Sequence, residues 1–373
     1  MLLQQLQLRD FRNLVEVVLL PSPHVTVVVG RNGQGKTNLL EAIYFLCTLK
    51  ALRAGRLMEL VRFGQPVARV SGRFALGGAV REIAVEIRDG GREASVDGKR
   101  APKLEEYFGG VSVVAFTPDD LAVVKGAPEQ RRAFLDRAVF NRFPGFLRAS
   151  RAYLRALRSR NRLLKDGASL DYLQAYDDAL AEAGARVLVL RRDLLAELGP
   201  RAEATVASIA QLPGVRYAYA AAHLDVVLTR AEVPELASAL RSALHARLPR
   251  DRERGFTSVG PHADDVEIGL DGHPARAFAS QGQARSLVLG WKIAEIENLR
   301  SALGRSPLLL LDDVSSELDP ERNAFLMRYL STSGAQVLLT TTEPALVRGA
   351  AGSDTLWLAV ENGAMVPAPG PTG

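Results

Sequence analysis

The chain has 373 residues, of which 47% are hydrophobic and 24% are charged, and its formal net charge is +5. These values exclude a disordered protein and predict two or three domains with buried cores. A whole-chain charge of +5 is too small to predict a nucleic-acid-binding protein by itself.

The first 116 residues contain short β-type runs around one helical segment. The predicted strands are Leu2–Leu8, Leu14–Leu20, Val25–Val29, Val67–Phe74, Arg81–Ile87 and Arg92–Val96, with glycine pairs as turns. The N-terminus lacks a basic start followed by an apolar run, and no window of 18 uncharged apolar residues exists, so neither a secretory signal nor a membrane span is expected. We therefore expect a cytoplasmic protein with no membrane partner.

A glycine-rich loop follows the third predicted strand. It consists of Gly30, Arg31, Asn32, Gly33, Gln34, Gly35, Lys36 and Thr37. A strand, the pattern G-x-x-x-x-G-K-[ST] and a helix together predict a P-loop, whose backbone N–H groups surround phosphates. Lys36 is then expected to reach the β- and γ-phosphates of ATP, and the Thr37 hydroxyl to ligate Mg²⁺. The alternative is an accidental glycine turn, which the flanking strand and helix disfavour.

The helix after this loop contains the only cysteine of the chain, Cys47. A single cysteine excludes an intrachain disulfide and a zinc site built from several cysteines. Because free cysteines are usually buried, we expect Cys47 to be a small core residue.

Residues from about Pro118 to Arg254 have mainly helical patterns. One run predicts a seam of Leu147, Leu154, Leu157 and Leu164, with Ser150 and Asn161 in phase. A second run places Leu173, Tyr176, Leu180, Ala183, Val187, Leu190 and Leu194 at the same spacing, and Gly199-Pro200 is expected to end it. A short turn joins the runs, so they predict a short antiparallel two-helix arm.

Positive charge is concentrated in this region. Arginine supplies 40 of the 47 basic residues of the chain, a bias that base composition or phosphate recognition can explain. Residues 125–165 carry a net charge of +10, which leaves −5 for the rest. The exposed stripe is predicted to consist of Arg148, Arg151, Arg155, Arg158, Arg162 and Lys165. It predicts contact with the backbone of duplex DNA, and the alternative is a solvated face that shields the seam.

From residue 255 onward, strands and helices alternate again. Ser280-Gln281-Gly282-Gln283 precedes a long predicted helix, where a hydroxyl, a glycine and a helix N-terminus would face an anion. The alternative is a helix N-cap with a turn. This segment resembles the ABC-type signature motif, in which Ser280, Gly282 and Gln283 would bind the γ-phosphate of a nucleotide held by a second subunit.

Two acids end the leucine-rich strand Pro307–Leu311. We expect Asp312 to hold Mg²⁺ and Asp313 to orient or deprotonate the attacking water, on a strand next to that of the P-loop. The alternative is a strand that ends in solvated acids. The following segment, Val314–Asp319, resembles the D-loop that crosses the dimer interface of ABC-type ATPases.

The segment Arg9–Asn13 resembles the start of SMC-like ATPases. Six further segments in order resemble the RecF family of bacterial recombination mediators: Gly33–Tyr44, Phe116–Leu121, Arg131–Asp136, Thr257–Asp265, Ser280–Gln283 and Leu311–Asp319. The resemblance implies an α/β ABC-type ATPase head, a P-loop NTPase with mixed sheets, that carries an inserted mainly helical domain. We place the head at residues 1–117 and 255–373 and the insert at 118–254.

The resemblance also implies a function. The protein would dimerise on ATP at gapped or junction DNA, act with RecO and RecR to load recombinase, and support replication restart and the SOS response. Arg12 would contact the nucleotide by analogy, or be a solvated residue at a strand end. The sequence departs from related ATPases by having Asp313 where many have glutamate, which predicts weak hydrolysis. Thr340–Thr342 stand where many relatives place a phosphate-contacting histidine, and either Thr342 or His262 is a candidate for that role.

Two other functions remain open at this point. An ABC transporter ATPase subunit is disfavoured by the +10 helical insert, and an SMC-type DNA scaffold is disfavoured by the short arm. The segment Phe116–Leu121 is where we expect the residue equivalent to the Q-loop.

Overall fold

The structure is a computed structural model that describes residues 1–53, 55–101, 104–221, 223–224, 228–361 and 363–370. These residues form two compact units: unit 1 comprises residues 1–121 and 295–373, and unit 2 comprises residues 122–294. None of the helices within the described ranges is long and apolar enough to cross a membrane.

The helices and strands are numbered along the chain. The strands are β1 (Leu2–Phe11), β2 (Leu14–Leu19), β3 (Val25–Val29), β4 (Val67–Leu76), β5 (Ala79–Arg88), β6 (Gly91–Val96), β7 (Lys99–Arg100), β8 (Val113–Phe116), β9 (Val215–Ala220), β10 (Asp265–Leu270), β11 (His273–Pro274), β12 (Leu308–Asp312), β13 (Val337–Thr341), β14 (Leu356–Glu361) and β15 (Ala364–Pro367). The α-helices are α1 (Lys36–Thr48), α2 (Leu104–Phe108), α3 (Pro118–Leu121), α4 (Pro128–Arg142), α5 (Phe146–Lys165), α6 (Leu170–Ala210), α7 (Val233–Arg254), α8 (Ala275–Phe278), α9 (Gln281–Leu303) and α10 (Pro320–Thr332). Short 3₁₀ turns cover Leu57–Leu60, Val314–Glu317 and Pro344–Ala350.

Unit 1 contains two six-stranded sheets. The first has the order β2-β1-β4-β5-β6-β7 and is antiparallel. The β4–β5 turn is Gly77-Gly78, and both glycines have the positive φ angles that a two-residue hairpin turn requires. The predicted strands of this region are therefore confirmed, although β1, β4 and β5 are longer than expected.

The second sheet has the order β15-β14-β3-β13-β12-β8 and is mainly parallel. Strand β13 lies between β3 and β12, so our expectation that the acidic strand is next to the P-loop strand is wrong by one strand. The register pairs Val29 with Thr341 and Asp312 with Thr340. The carboxyl ends of β3, β13 and β12 therefore meet at one edge of the sheet, where α/β proteins bind ligands.

Helix α1 is the centre of the core of unit 1. Its residues Leu39, Leu40, Ile43 and Phe45 are fully buried and cluster with side chains from both sheets. A helix that is apolar on nearly all sides is stable only when other elements cover it on more than one face, as the two sheets do here. Cys47 is also buried there, as expected, and burial raises the pKa of its thiol.

Unit 2 is mainly helical and contains the three-stranded sheet β11-β10-β9. Helices α5 and α6 are joined by a short turn, as predicted, but α7 packs on both of them, so the arm is a three-helix assembly. Leu164, Leu173 and Leu248, one from each helix, form a small cluster. The sequence could not predict this third helix as a partner because α7 lies more than 20 residues beyond α6.

Helix α6 continues through Pro200 to Ala210, so the expected stop at Gly199-Pro200 is wrong. Proline usually breaks a helix because it lacks an N–H donor and clashes with the preceding turn. Here Pro200 is exposed, while Leu198, Ala202 and Val206 on the same helix are fully buried. Tertiary burial on both sides of the proline outweighs the lost hydrogen bond.

The seam of α5 is also different from the predicted one. Leu154 is 45% exposed, whereas Ala149, Tyr153, Ala156 and Arg160 are buried together with Leu157 and Leu164. The predicted seam did not place an arginine on the buried face. Arg160 occupies that face because Asp177 and the fully buried Asp251 pair with it. Of the predicted α6 seam, Tyr176 is 39% exposed, and five residues are buried: Leu173, Leu180, Ala183, Val187 and Leu194.

The two compact units divide the chain differently from the domain boundaries that we expected. The first boundary between the units lies after residue 121, close to the expected boundary after residue 117. The second boundary lies within α9, after residue 294, whereas we expected it after residue 254. Residues 255–294 belong to unit 2 because β10 pairs with β9 over six residues, and because Trp291 packs against Phe134 and Tyr217 at ring-centroid distances of 5.4 and 5.3 Å.

Candidate functional site

The glycine-rich loop lies at the end of β3 and leads directly into α1. Gly30, Gly33 and Gly35 have φ angles of 153°, 81° and 120°, a region that L-residues rarely adopt. A Cβ atom on Gly35 would lie 2.8 Å from Asn13 Oδ1, so glycine is required there for space as well. Arg31 and Asn32 are exposed at the tip of the loop. The backbone thus wraps around a space at the N-terminus of α1, where N–H groups point outward.

Lys36 is the first residue of α1 and is only 5% exposed. Its Nζ donates hydrogen bonds to the carbonyl oxygens of Gly30 at 2.5 Å and Arg31 at 3.1 Å. Burial lowers the pKa of Lys36, and the carboxylates of Asp313 and Asp312 oppose that shift. A cation is therefore held inside the loop by neutral carbonyl groups, with no direct ion pair among the residues that the structure describes.

Thr37 and Asp312 meet although they are 275 residues apart. The Thr37 hydroxyl donates to Asp312 Oδ1 at 2.8 Å, and the Thr340 hydroxyl from β13 donates to the same oxygen at 2.9 Å. Asp312 is 5% exposed. A hydroxyl and a carboxylate oxygen are ligands that Mg²⁺ uses beside phosphate and water.

Asp313 follows β12 in a left-handed conformation, with φ of 50°. Its backbone N–H donates to the carbonyl oxygen of Thr340 at 3.2 Å and to the hydroxyl oxygen of Thr340 at 3.1 Å. These two bonds hold the backbone where the chain turns after β12. Its Oδ1 is buried and has no hydrogen-bond partner among the described residues. A buried carboxylate oxygen without a partner is costly, which fits a group reserved for a ligand or a water.

Within the described part of the chain, no group of three or more His, Cys, Asp or Glu could hold a metal.

The turn between β1 and β2 supports the loop, and sequence reasoning missed one of its two residues. Asn13 Nδ2 donates to the Gln34 carbonyl at 2.9 Å, and Asn38 Nδ2 donates to Asn13 Oδ1 at 2.8 Å. Arg12, with φ of 54°, donates from Nε to Glu41 Oε2 at 2.9 Å. Arg12 is therefore paired with α1 next to the loop. Strand β1 runs to Phe11, beyond the predicted end at Leu8, so only Arg12 and Asn13 separate it from β2. The predicted strands left five residues between them, which did not indicate a tight turn.

Arg53 is a further cation that the sequence did not single out. Its Nη2 lies 3.6 Å from Asp312 Oδ2, and its backbone N–H donates to Glu41 Oε1 at 3.2 Å. The side chain is 54% exposed. It places a half-exposed positive charge at the carboxylate that Thr37 also contacts.

A cavity of about 740 Å³ lies next to the β1–β2 turn, on the side of the glycine-rich loop. Its lining includes Arg12, Asn13, Asn38, Met58 and Phe63. Phe63 is fully exposed, with a relative accessibility of 101%. The rest of the lining is a mixture of charged and apolar side chains, among them Arg56, Glu59 and Val61.

The signature-like segment lies in unit 2 at the start of α9. Gln283 Oε1 accepts from the Ser280 N–H at 2.8 Å, and Ser280 Oγ accepts from the Gln283 N–H at 3.1 Å. This reciprocal pair is a capping box, so the N-cap alternative is correct for the isolated chain. Ser280 Oγ accepts one bond and keeps its O–H available as a donor. Ser280 is exposed, and Gly282 is half-buried beside it.

The D-loop-like segment begins directly after the acids. It forms the 3₁₀ turn Val314–Glu317, and the Ser316 hydroxyl donates to the Asp313 carbonyl at 2.7 Å. Asp319 caps α10 by accepting from the Arg322 N–H at 3.1 Å. The segment is thus an ordered turn continuous with the candidate catalytic acids.

His262 belongs to the core of unit 2. Its Nδ1 accepts from the Tyr153 hydroxyl at 2.5 Å, and its Nε2 donates to the Thr257 carbonyl at 2.9 Å. Burial lowers the pKa of this imidazole. Both ring nitrogens are occupied in the protein, which supports a structural role. Thr342, the other candidate, is exposed beside the buried Thr341.

The predicted basic stripe on α5 is exposed along its length. Its members are Arg148, Arg151, Arg155, Arg158, Arg162 and Lys165. Arg162 lies 3.7 Å from Asp166, and both side chains are largely exposed, so this pair neutralises little charge.

Other arginines of the same segment are internal. Arg160 is fully buried and donates to Asp177 at 2.6 Å and to Asp251 at 2.9 Å. Arg131 forms a bidentate pair with Asp265, and Arg142 forms one with Glu197. The +10 of residues 125–165 therefore overstates the charge that unit 2 presents to solvent.

Comparison with known proteins was made on sequence and on structure. Residues 2–363 match the family described as RecF/RecN/SMC N terminal domain. The chain is 66% identical over 367 residues to a protein of Myxococcus xanthus named DNA replication and repair protein RecF, covering 97% of this chain and 96% of that protein.

Two solved structures are similar in fold. The structure of the recombination mediator protein RecF-ATP in the RecFOR pathway superposes with a TM-score of 0.88 at 29% identity, covering 99% of this chain and 98% of the other. The Smc head domain from Pyrococcus furiosus, solved with an extended coiled coil and bound to the C-terminal domain of ScpA, has a TM-score of 0.55 at 16% identity and covers 98% and 95%. The second likeness concerns the fold alone.

Proposed function

We propose a function from one premise: this chain belongs to the RecF family, within the larger family of RecF, RecN and SMC N-terminal domains. Its fold is that of an ABC-type ATPase head with helical regions, as the sequence predicted. We propose that it is an ATP-dependent DNA-binding protein of recombinational repair, replication restart and the SOS response. Its ATP site would be composed of two subunits, and its partners would be DNA, RecO and RecR in the cytoplasm.

One observation carries the nucleotide part of this proposal. The Thr37 hydroxyl and the Asp312 carboxylate are 2.8 Å apart beside a loop that holds a buried, uncompensated lysine. Lys36 would bind the β- and γ-phosphates of ATP. The neutral carbonyl groups of the loop do not balance its positive charge, and the phosphates would. Backbone N–H groups of Gly33 and Gly35 and the start of α1 would bind the same phosphates.

A magnesium ion fits the residues present. Thr37 and Asp312 would hold it, and when bound it would neutralise phosphate charge. Thr340 fixes the orientation of Asp312 through the 2.9 Å hydrogen bond. Arg53 would exchange its contact with Asp312 for a phosphate, since the side chain is half-exposed.

Asp313 would orient or deprotonate the water that attacks the γ-phosphate. Its unpartnered buried oxygen supports this role. Because an aspartate is one methylene shorter than glutamate, we expect slow hydrolysis. ATP would then act mainly as a switch on dimerisation, and hydrolysis would reset it.

The signature residues would complete the site of the partner subunit. The Ser280 O–H remains a donor while its oxygen caps α9, and the N-terminus of α9 faces solvent. Ser280, Gly282 and Gln283 of one subunit would therefore bind the γ-phosphate in the other. The exposure of this segment in a single chain is consistent with a site that forms only on dimerisation.

DNA would contact the exposed stripe on α5. Arg151, Arg155 and Arg158 recur every three to four residues on one face, as sequence-independent phosphate contact requires. The stripe would track duplex DNA, since exposed aromatic side chains do not alternate with its arginines.

The decisive experiment measures dimer mass and DNA retention with ATP, with ADP and without nucleotide. We expect a dimer and retained DNA only with ATP. DNA binding that does not depend on ATP, or a monomer in the presence of ATP, would contradict the proposal. A transporter subunit would bind no DNA, and an SMC-type scaffold would not stimulate recombinase loading when RecO and RecR are added.

A further inference from the structure

Two phenylalanine side chains lie on the surface of the protein, one in each unit. Phe63 of unit 1 is fully exposed, and Phe278 of unit 2 is 66% exposed. The other phenylalanines are all less than half exposed. Single exposed apolar residues are common, so exposure alone assigns no role. These two rings are distinguished by position, since one lies beside the glycine-rich loop and the other beside the signature-like segment.

Phe63 lies on a turn that is attached to the end of β1. The Arg62 N–H donates to the Asp10 carbonyl at 2.8 Å, and the Arg12 N–H donates to the Leu60 carbonyl at 2.8 Å. The Arg62 side chain also donates to Asp10 Oδ1 at 2.7 Å. The ring therefore projects into solvent from a backbone that is already held. Burying it against a partner would cost little additional backbone entropy.

This turn belongs to the surroundings of the glycine-rich loop. Phe63 lines the cavity of about 740 Å³ together with Met58, which is 39% exposed, and with Asn13 and Asn38. Asn13 in turn donates to the Gln34 carbonyl of the loop at 2.9 Å. Met58 and Phe63 thus form an exposed apolar surface next to the loop, which we call the loop-side patch.

The second ring lies directly ahead of the signature-like segment. The ring centroids of Phe278 and His273 are 5.0 Å apart, at an interplanar angle of 40°. The Ala279 N–H donates to the Ala275 carbonyl at 2.9 Å, and Ser280 then caps α9. Both rings are exposed. Phe278 and His273 form the signature-side patch, whose position relative to Ser280 is set by these bonds.

The dimer of the proposed function would bring the two patches together. In that dimer, Ser280 of one subunit faces the glycine-rich loop of the other. Two residues span at most about 7 Å of chain, so Phe278 reaches the contact wherever Ser280 does. Each patch has exposed apolar surface in a single chain, and each would cover the other. Because a two-fold axis repeats every contact, one dimer would contain this contact twice.

We propose that Phe278 and His273 of one subunit pack against Met58 and Phe63 of a second copy when ATP joins the two. The inference rests on the proposed function and adds an apolar contact beside each nucleotide. The phosphates of ATP supply the charged part of the interface, and the aromatic rings supply buried apolar area.

The first test measures the dimerisation constant of the full chain by analytical ultracentrifugation, with a slowly hydrolysed ATP analogue. Phe278→Ala should weaken the dimer roughly 10- to 100-fold, as for the truncation of a central interface aromatic. It should leave the ATP affinity of the monomer unchanged, because the ring contacts only the second copy. Tyr172→Ala is the matched control, since it removes a ring of unit 2 that is 68% exposed and lies outside both patches.

A double-mutant cycle tests whether the two patches contact each other. Phe63→Ala should also weaken the dimer, and Val80→Ala, which removes a half-exposed side chain of unit 1, should not. If the rings are partners, the loss in the double variant should be smaller than the product of the two single losses by roughly 3-fold or more. All the substituted side chains are exposed, and an unchanged midpoint of thermal unfolding verifies that each variant is folded.

Three outcomes overturn the inference. They are an unweakened dimer in Phe278→Ala, single losses that multiply in the double variant, and a loss of monomer ATP affinity in Phe278→Ala as large as its loss of dimer. Multiplying losses would mean that Phe63 contacts the nucleotide or another partner. The proposed function fails separately, when the unmodified chain stays monomeric with the analogue, and the contact fails with it. A chain that dimerises equally well with and without both rings leaves the proposed function intact and refutes this contact alone.

Discussion

Lys36 of unit 1 and Arg160 of unit 2 are both buried cations, and their surroundings differ in one respect. Arg160 donates to two carboxylates, Asp177 and Asp251, so the protein itself balances the charge. Lys36 donates to two neutral carbonyl oxygens and lies near carboxylates without pairing with them. Since an isolated buried charge is costly, the difference separates a structural cation from one that we propose to bind an anionic ligand.

The exposed arginines of α5 form a third class in this comparison. They differ from Arg160 only in the face of the helix that they occupy. Their side chains are exposed, so their charges contribute little to stability. Removing a cation of each class should therefore have a different effect.

Arg160→Ala should destabilise unit 2 more than any other single change considered. It leaves Asp251, which is fully buried, without its cation. We expect a loss of about 3–5 kcal/mol in the free energy of unfolding, measured by urea titration. Arg155→Ala, an exposed change on the same helix, should stay within about 0.5 kcal/mol. Equal stability of the two variants would remove the distinction between buried and exposed arginines.

Lys36→Ala should affect ligand binding and spare the fold. We expect ATP affinity to fall roughly 10- to 100-fold, as for the loss of a charged hydrogen-bond partner, and ATP-dependent dimerisation to disappear. Isothermal titration and light scattering measure the two effects. Lys99→Ala, which removes an exposed lysine of unit 1, is the control. Unchanged ATP affinity in Lys36→Ala would refute the nucleotide site.

These two cations also mark the limit of what the sequence predicts. The P-loop was predictable because its spacing dictates a backbone conformation: glycines must stand where φ is positive, whatever surrounds the loop. Arg160 was not predictable because its partners lie 17 and 91 residues away, on other helices. The same limit explains the wrong seam on α5 and the continuation of α6 through Pro200.

Within the candidate site, the sequence predicted the residues that we propose to contact the ligand and missed those that hold them. Thr37 and Asp312 were predicted, and the structure brings them together. Asn13, which bonds the Gln34 carbonyl, and Thr340, which orients Asp312, act through polar contacts between distant segments. Such contacts leave no periodic pattern in the chain.

Replacing Arg151, Arg155 and Arg158 with Gln should change the salt dependence of DNA binding. Each lost phosphate contact should flatten the slope of log affinity against log salt by roughly one unit. Anisotropy titrations with blunt duplex over a range of salt measure the slope. The control variant substitutes Arg186, Arg230 and Arg241, which are exposed elsewhere in unit 2. If the slope is unchanged in the stripe variant and the control alike, the stripe is a solvated face.

Asp264 extends the comparison to a buried acid, with a smaller expected effect. It is 4% exposed and accepts from the Tyr219 hydroxyl at 2.7 Å, and burial raises the pKa of Asp264 to about 6. The folded state therefore holds the neutral form more readily than the unfolded state, whose pKa is near 3.8. At pH 7.5 both states are ionised, and folding carries the cost of burying the charge. As the pH falls from 6 to 3.8, protonation in the folded state removes that cost.

Asp264→Asn should consequently be more stable than the unmodified chain at pH 7.5, by about 1 kcal/mol, because it removes the buried charge. The gain is smaller than the pKa shift alone implies, since an amide does not reproduce every hydrogen bond of the carboxyl group. The advantage should vanish as the pH falls below about 4, where the native acid is neutral in both states. Asp166→Asn, an exposed acid at the end of α5, should have no pH-dependent advantage of this kind. A constant advantage for Asp264→Asn at every pH would mean that packing, and not charge, sets the effect.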